Sequence, residues 1–184
     1  MYLRLTNLKK NDLASIKNVL SKNVKKVIVD FRDNDDCEKD VMFEFADMLV
    51  SKGKLFSEKF LDVNGKIKTK IYNASPQTTL LKNTNIAILI NSKTASVAEV
   101  VSHSLDFSDN IVTIGEDSAG ESNYYNYGAL SNGDICLISS GEYFVKEFLV
   151  IENLGLSASI KIIEDNPKLD KTLIKATQYL GDKK

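Results

Sequence analysis

Apolar residues follow two different spacings along the chain, one typical of buried strands and the other of amphipathic helices. Short runs rich in β-branched residues occur at 26–31, 85–90 and 111–115, and such runs are typical of strands buried on both faces of a sheet. Apolar residues recur every three or four positions at 41–49 and 95–105, which predicts helices between those strands. The alternation predicts an α/β domain with a largely parallel sheet.

The rest of the pattern adds further elements to this core. Residues 2–6 alternate like a strand, and residues 13–20 show one apolar helical face. The dipeptides Asn64-Gly65 and Asn132-Gly133 each stand between two strand-like runs and predict β-hairpins. Asn166-Pro167 is predicted to start a final helix.

Composition narrows the class of protein. The chain has 184 residues, with 24 basic and 25 acidic side chains, so nothing indicates a nucleic-acid or anionic-membrane partner. No apolar run reaches the roughly 20 residues of a membrane span, and no secretory signal or metal-binding spacing is apparent. We expect one domain over residues 1–184, without metal or cofactor. It is either cytoplasmic as it stands or excised from an exported protein.

Ser96 is the central candidate residue because it stands between a predicted strand and a predicted helix. Ser96 and Glu99 have the S-x-x-E spacing of a capping box, in which the serine hydroxyl accepts a backbone amide at the helix start. The same position also lies where α/β sheets bind ligands, and a helix N-terminus favours negative charge. Ser96 is therefore either a helix cap or a nucleophile whose own amide contributes to an oxyanion hole.

The segment around Ser96 resembles a known family. NIAILINSKTASVAEV is similar to the nucleophile segment of the C-terminal processing (tail-specific) serine peptidases, including their tricorn-core and retinoid-binding-protein-like branches. Five further segments are similar to family motifs in the same order: YLRLTN, VKKVIVDFRDN, IVTIGEDSAGES, LSNGDICLISSGEYF and NPKLDKTLIKATQYL. The resemblance covers nearly the whole chain. It implies a crotonase-like α/β core with flanking helices and β-hairpins, Ser96 as nucleophile, and a peptide or protein substrate. No PDZ domain is detected, and oligomerisation is left open.

The catalytic partners of Ser96 depart from the family pattern. In the bacterial branch a lysine base follows the Gly-Glu-x-x-x-Gly stretch, and Glu121 stands there instead. A carboxylate is a poor proton acceptor for a serine hydroxyl. The tricorn-like branch uses a histidine and a glutamate, and Glu152 matches that glutamate. The only histidine, His103, is seven residues further along the Ser96 helix, about 10 Å along its axis and out of reach.

The oxyanion region also differs. The family usually has paired glycines after its Asp-Leu-Arg-x-Asn signature, and one of them lends its amide to the oxyanion. Asp35 and Asp36 occupy those positions here. Two carboxylates there repel a developing oxyanion, and loss of one donor alone costs about 100- to 1000-fold in rate.

Three functional hypotheses follow. The first is a peptidase domain in which Ser96 is the nucleophile and Glu152 orients a histidine from a missing amino-terminal segment. The second is an inactive relative that binds a peptide or an apolar ligand in the same cleft. The third is an assembly domain whose surfaces contact other subunits. The resemblance favours the first hypothesis, and the substitutions Asp35, Asp36 and Glu121 together favour the second.

Overall fold

The fold is known from a computed structural model that describes residues 1–35, 37–62, 64–77, 79–81, 83–121, 123–145, 148–149 and 153–183. The elements in chain order are β1 Tyr2–Arg4, α1 Lys10–Leu20, β2 Lys26–Asp30, α2 Lys39–Leu49, β3 Gly53–Leu61, β4 Ile67–Ala74, β5 Asn85–Ile90, α3 Ser96–Leu105, β6 Ile111–Gly115, β7 Asn123–Ala129, β8 Ile135–Val145, β9 Phe148–Leu149, β10 Ile160–Lys161 and α4 Lys171–Asp182.

Five strands form a parallel sheet in the order β1-β2-β5-β6-β10. Side chains of its central strands alternate between two apolar cores. In β5, Ile86 and Ile88 join the core beneath α1, α2 and α3, whereas Ala87 and Leu89 join the core beneath α4. Both faces of the sheet are covered, which explains why these strands read as unbroken apolar runs. The expected α/β core with a largely parallel sheet is confirmed.

A second sheet is antiparallel and has the order β4-β3-β8-β7, with β9 paired to β8. Both predicted hairpins are present: β3 pairs with β4 across Asn64-Gly65, and β7 pairs with β8 across Asn132-Gly133. Helix α3 contacts β3 and β8 as well as α2. The second sheet therefore stands beside α3, whose first residue is Ser96.

The structure corrects the start of the last helix. Asn166 and Pro167 lie before it, and α4 begins at Lys171 with Asp170 as N-cap. The Asp170 carboxylate accepts a hydrogen bond of 2.8 Å from the amide of Leu173, as an N-cap does. The short strands β9 and β10, two residues each, were not predicted, because two residues are too few to show a periodicity.

Both ends of the described chain meet at Lys26. The amino-terminal ammonium group of Met1 donates to the Lys26 carbonyl at 2.9 Å, and Lys26 Nζ donates to the Gly181 carbonyl at 3.4 Å. Strand β1 and helix α4 thus both lie against β2. No helix in the described part of the chain is long and apolar enough to cross a membrane.

Candidate active site

Three loops meet at the carboxyl ends of β2, β5 and β6, which are neighbours in the parallel sheet. Their backbones are joined directly. The Ala95 amide donates to the Asn34 carbonyl at 3.0 Å, and the Ala119 amide donates to the Thr94 carbonyl at 2.9 Å. The Thr94 hydroxyl, fully buried, donates to the Phe31 carbonyl at 2.9 Å. Ligand sites of α/β sheets form where such strands end, and here the loops are fixed to one another.

Ser96 has an unusual backbone conformation. Its φ is +55°, in the left-handed region that a residue with a Cβ adopts at a cost. It stands at the start of α3, six residues after the end of β5, and its side chain is half-buried. A serine on a strained strand-to-helix turn is the arrangement that presents a nucleophile in unrelated hydrolases.

The structure contradicts the capping-box interpretation of Ser96 and Glu99. The N-cap of α3 is Ala95, which has no side-chain cap, and the Glu99 amide donates to the Ala95 carbonyl at 3.4 Å. The Glu99 carboxylate instead accepts hydrogen bonds from two loops that are distant in sequence, at 118–121 and at 156. Ser96 therefore does not cap the helix.

Glu99 is buried and connects two loops near Ser96 through its hydrogen bonds. Its carboxylate, with no exposed surface, accepts hydrogen bonds from the Ser118 hydroxyl at 2.7 Å and from the amides of Gly120, Glu121 and Leu156 at 3.0–3.2 Å. Burial raises the pKa of the Glu99 carboxyl, and these hydrogen bonds act in the opposite direction. Glu99 thereby fixes the loop that follows β6.

That loop reaches the backbone of Ser96. The Ser96 amide donates to the Glu121 carbonyl at 2.7 Å, and the Glu121 amide in turn donates to Glu99 at 3.0 Å. The Ser96 amide, which would contribute to an oxyanion hole if Ser96 is the nucleophile, is therefore already engaged in a hydrogen bond. An oxyanion would have to displace the Glu121 carbonyl to reach it.

An open cleft of about 430 Å³ adjoins Ser96. We call it the Ser96 cleft. Its lining residues come from the segment after β2, the first turns of α2 and α3, the loop after β6, and strands β7 and β8, namely Asp35, Cys37, Lys39, Ser96, Val97, Glu121, Asn123, Tyr125, Tyr127, Leu137 and Tyr143. Ser96, Asp35 and Glu121 thus line one cleft, and their catalytic roles stay predictions. Asp36 and Glu152 lie outside the described residues, so their predicted roles stay predictions.

Lys39 is a cleft residue that the sequence analysis missed. Its Nζ lies 2.6 Å from Glu58 Oε2, and Glu58 is buried on β3. The Tyr72 hydroxyl donates to the other Glu58 oxygen at 3.3 Å, and burial raises the pKa of Tyr72 to about 12. Lys39 begins α2 and Glu58 lies 19 positions later on a strand, so no sequence spacing links them.

His103 is placed as expected, on α3 and away from the cleft. Its ring packs edge to face against Phe107 at a centroid distance of 5.3 Å. Among the described residues that line the Ser96 cleft, Lys39 is the only one with a basic nitrogen. Within the same described ranges, no group of three or more His, Cys, Asp or Glu side chains is placed to hold a metal ion.

A larger cavity, of about 650 Å³, lies elsewhere, between the end of α2 and residues 76–83. Among the described residues of its lining, Lys52 is the only ionisable one, and Asn83, which shares the left-handed backbone of Ser96 with a φ of +61°, carries a carboxamide, which is not a nucleophile. Volume alone does not identify a reactive site, and of these two cavities the Ser96 cleft is the one lined by several titratable groups.

Comparison with known proteins now identifies the class. The profile of peptidase family S41 matches residues 1–162, so the chain belongs to this family. Carboxyl-terminal-processing peptidase 2, chloroplastic, of Arabidopsis thaliana is 22% identical over 171 residues, which cover 91% of this chain and 32% of that protein.

Solved structures show the same fold. The photosystem II D1 C-terminal processing protease superposes with a TM-score of 0.76 at 24% identity, covering 99% of this chain and 46% of that one. Mature CPAF complexed with lactacystin superposes with a TM-score of 0.75 at 13% identity, covering 98% of this chain and 50% of that one. The chain therefore spans about a third of the curated relative and about half of these solved structures.

Proposed function

We propose that this chain is the catalytic core of an S41 serine peptidase that binds a peptide in the Ser96 cleft, with Ser96 as the nucleophile. The observation that carries the proposal is the conformation of Ser96: a φ of +55° at the strand-to-helix junction, beside an open cleft. A conformation that costs free energy persists where the surrounding structure imposes it, and such sites are concentrated in active centres.

We further propose that the chain hydrolyses peptides slowly. Glu121 stands where the family resemblance puts a lysine base, and Lys39 Nζ is paired with Glu58. The Ser96 amide is bonded to the Glu121 carbonyl rather than open to an oxyanion. A correctly placed general base contributes about 100- to 10,000-fold in rate, and an oxyanion donor about 100- to 1000-fold. Glu152 remains the proposed partner that would orient a base supplied from elsewhere.

A second candidate function is peptide binding without hydrolysis. The observation that favours it is the contact between the Ser96 amide and the Glu121 carbonyl, which Glu99 holds in place. A binding protein has no need of an open oxyanion hole, so this contact would be its permanent state. The two functions share the cleft and differ only in what happens at the Ser96 hydroxyl.

A fluorophosphonate probe separates the two functions. We expect slow labelling of the natural chain, none of Ser96→Ala, and faster labelling of Glu121→Lys, because the last variant restores an amine at the base position. Glu44→Lys is the matched control: Glu44 is an exposed residue of α2 outside the cleft lining, and its labelling rate should equal that of the natural chain.

Other outcomes have distinct meanings. Labelling that persists in Ser96→Ala would overturn Ser96 as the nucleophile. Absence of labelling in every variant, with peptide binding retained, would favour the second function. Labelling of the natural chain at ordinary serine-hydrolase rates would show that an unrecognised base reaches Ser96.

A further inference from the structure

The described residues that line the Ser96 cleft carry an unbalanced negative charge. Asp35 and Glu121 both line it and are exposed, and neither is part of an ion pair among the described residues. The cation in the lining, Lys39, is matched by the Glu58 carboxylate at 2.6 Å. A bound peptide therefore meets two uncompensated carboxylates.

Neighbouring acidic residues show that this imbalance is local. Asp30 and Asp33 precede Asp35 in the same segment, and both have cationic partners: Asp30 is paired with Arg32 at 2.7 Å and Asp33 with Arg4 at 2.9 Å. Asp30 and Asp33 are thus each paired with an arginine, whereas Asp35, which lines the cleft, has no ion-pair partner among the described residues.

The lining of the same cleft also has an apolar wall. Tyr125 and Tyr127 lie on one face of β7, and Leu137 of β8 is paired directly with Tyr127. Tyr127 is 83% exposed and Leu137 is 59% exposed, so the wall is open to a ligand. Long cationic side chains suit such a place, because their methylene groups pack on aromatic rings while the charged end reaches a carboxylate.

We infer that the Ser96 cleft selects peptides that carry a cationic side chain, arginine above lysine, and disfavours acidic ones. Arginine is preferred because its planar group stacks on tyrosine and forms paired hydrogen bonds with a carboxylate. This inference rests on the proposed function, since it names the peptide class that the same cleft takes.

The test measures binding of three labelled peptides to the Ser96→Ala variant, which prevents turnover. The peptides are fluorescein-labelled dodecamers of alanine and serine with one tyrosine, identical except for a central arginine, citrulline or glutamate. Citrulline has the shape of arginine without its charge. We expect arginine to bind about 3- to 30-fold more tightly than citrulline by fluorescence anisotropy, and glutamate to bind most weakly.

Two further measurements attribute the preference to the cleft. Adding Asp35→Asn and Glu121→Gln should remove the difference between arginine and citrulline. Adding Glu44→Gln and Asp109→Asn, which alter two exposed acidic residues outside the cleft lining, should preserve it. Raising the salt from 0.05 to 0.5 M shortens the Debye length from about 14 Å to about 4 Å and should shrink the preference.

The outcomes separate this inference from the function on which it rests. Equal binding of the arginine and citrulline peptides would overturn the cationic preference and leave peptide binding standing. Failure of all three peptides to bind would count against the proposed function and, with it, the inference. A preference that survives the Asp35→Asn and Glu121→Gln changes would place the selecting charge outside the cleft.

Discussion

The backbone amide of Ser96 donates a hydrogen bond of 2.7 Å to the carbonyl oxygen of Glu121. This contact joins the nucleophile position to the loop that carries the base position, and it uses only main-chain atoms. The side chain at position 121 is therefore open to substitution without loss of the contact. The loop itself depends on Glu99, which accepts the Glu121 amide at 3.0 Å.

The backbone conformation of Ser96 has a measurable cost. A left-handed φ costs a residue with a Cβ about 1 kcal/mol or more, and glycine avoids that cost. We expect Ser96→Gly to raise the free energy of unfolding by about 0.5–1 kcal/mol in urea denaturation. Ser96→Ala should stay within about 0.5 kcal/mol of the natural chain, since it keeps the Cβ and loses no cap.

Ser21→Gly is the matched control for this experiment. Ser21 has a φ of −68°, which serine adopts without strain, and its hydroxyl donates to the Asn18 carbonyl at 3.0 Å. The control should lower the free energy of unfolding by about 0.5–1 kcal/mol. A Ser96→Gly variant that is less stable than the natural chain would contradict the strain at Ser96.

Glu99→Gln should destabilise the fold at neutral pH. A carboxamide presents an NH₂ group where the carboxylate now accepts backbone amides, so one amide is left buried without an acceptor. We expect a loss of about 2–3 kcal/mol in the free energy of unfolding. The exposed Glu44→Gln variant should change it by less than about 0.5 kcal/mol. Equal stability of the two variants would show that the Glu99 contacts are dispensable.

Gly155 allows two loops to approach each other. Its φ is +71°, and a Cβ there would overlap the Ser118 carbonyl, whereas Gly133 has a φ of +90° and nothing near a built Cβ. Gly133→Ala should lose about 1–2 kcal/mol of unfolding free energy from its φ alone. Gly155→Ala should lose about 1–3 kcal/mol more, because the backbone must also shift. Thermal and urea unfolding measure both losses. Equal losses for Gly155→Ala and Gly133→Ala would contradict the close approach of the two loops.

Asp170 supplies the pH-dependent prediction. Hydrogen bonding to Arg32, whose two terminal nitrogens lie 2.8 and 2.9 Å from the Asp170 oxygens, lowers the pKa of this carboxyl. A lowered pKa in the folded protein means that the stabilisation is present above the unfolded pKa of about 3.9 and is lost as the pH falls through the folded value.

The variants separate the ion pair from the helix cap. Asp170→Asn keeps a capping oxygen and should cost about 0.5–1 kcal/mol at pH 7, a small value because the side chain is 39% exposed. Asp170→Ala should cost about 1 kcal/mol more through the lost cap. The difference between the natural chain and Asp170→Asn should vanish once the pH has fallen below the lowered pKa of the folded protein. A difference that is constant from pH 7 to pH 2 would exclude the ion pair as its source.

Local sequence pattern was enough to predict the parallel core. The strands 26–30, 85–90 and 111–115 are covered on both faces, so each reads as an unbroken apolar run. The hairpins were also predictable, because Asn and Gly adopt the positive φ angles that a two-residue hairpin turn requires, whatever the rest of the chain does.

The geometry of the Ser96 site could not be predicted from the sequence, because its main hydrogen bonds join segments that are far apart along the chain. Ser-x-x-Glu has the same spacing whether Glu99 caps the helix or points into the core. The choice depends on donors at 118–121 and 156, which no local rule connects with α3. The pairing of Lys39 with Glu58 is hidden for the same reason.

Lys26 touches both ends of the described chain, through Met1 at its carbonyl and Gly181 at its side chain. A short flexible linker would therefore join residue 181 to residue 1 without crossing the fold. New ends would fit at the exposed turn between Asn132 and Gly133, which joins two strands of the antiparallel sheet and none of the parallel sheet. The fold is thus suited to circular permutation, because each strand of the parallel sheet is held by its hydrogen-bonded neighbours, and these pairs do not depend on where the chain begins.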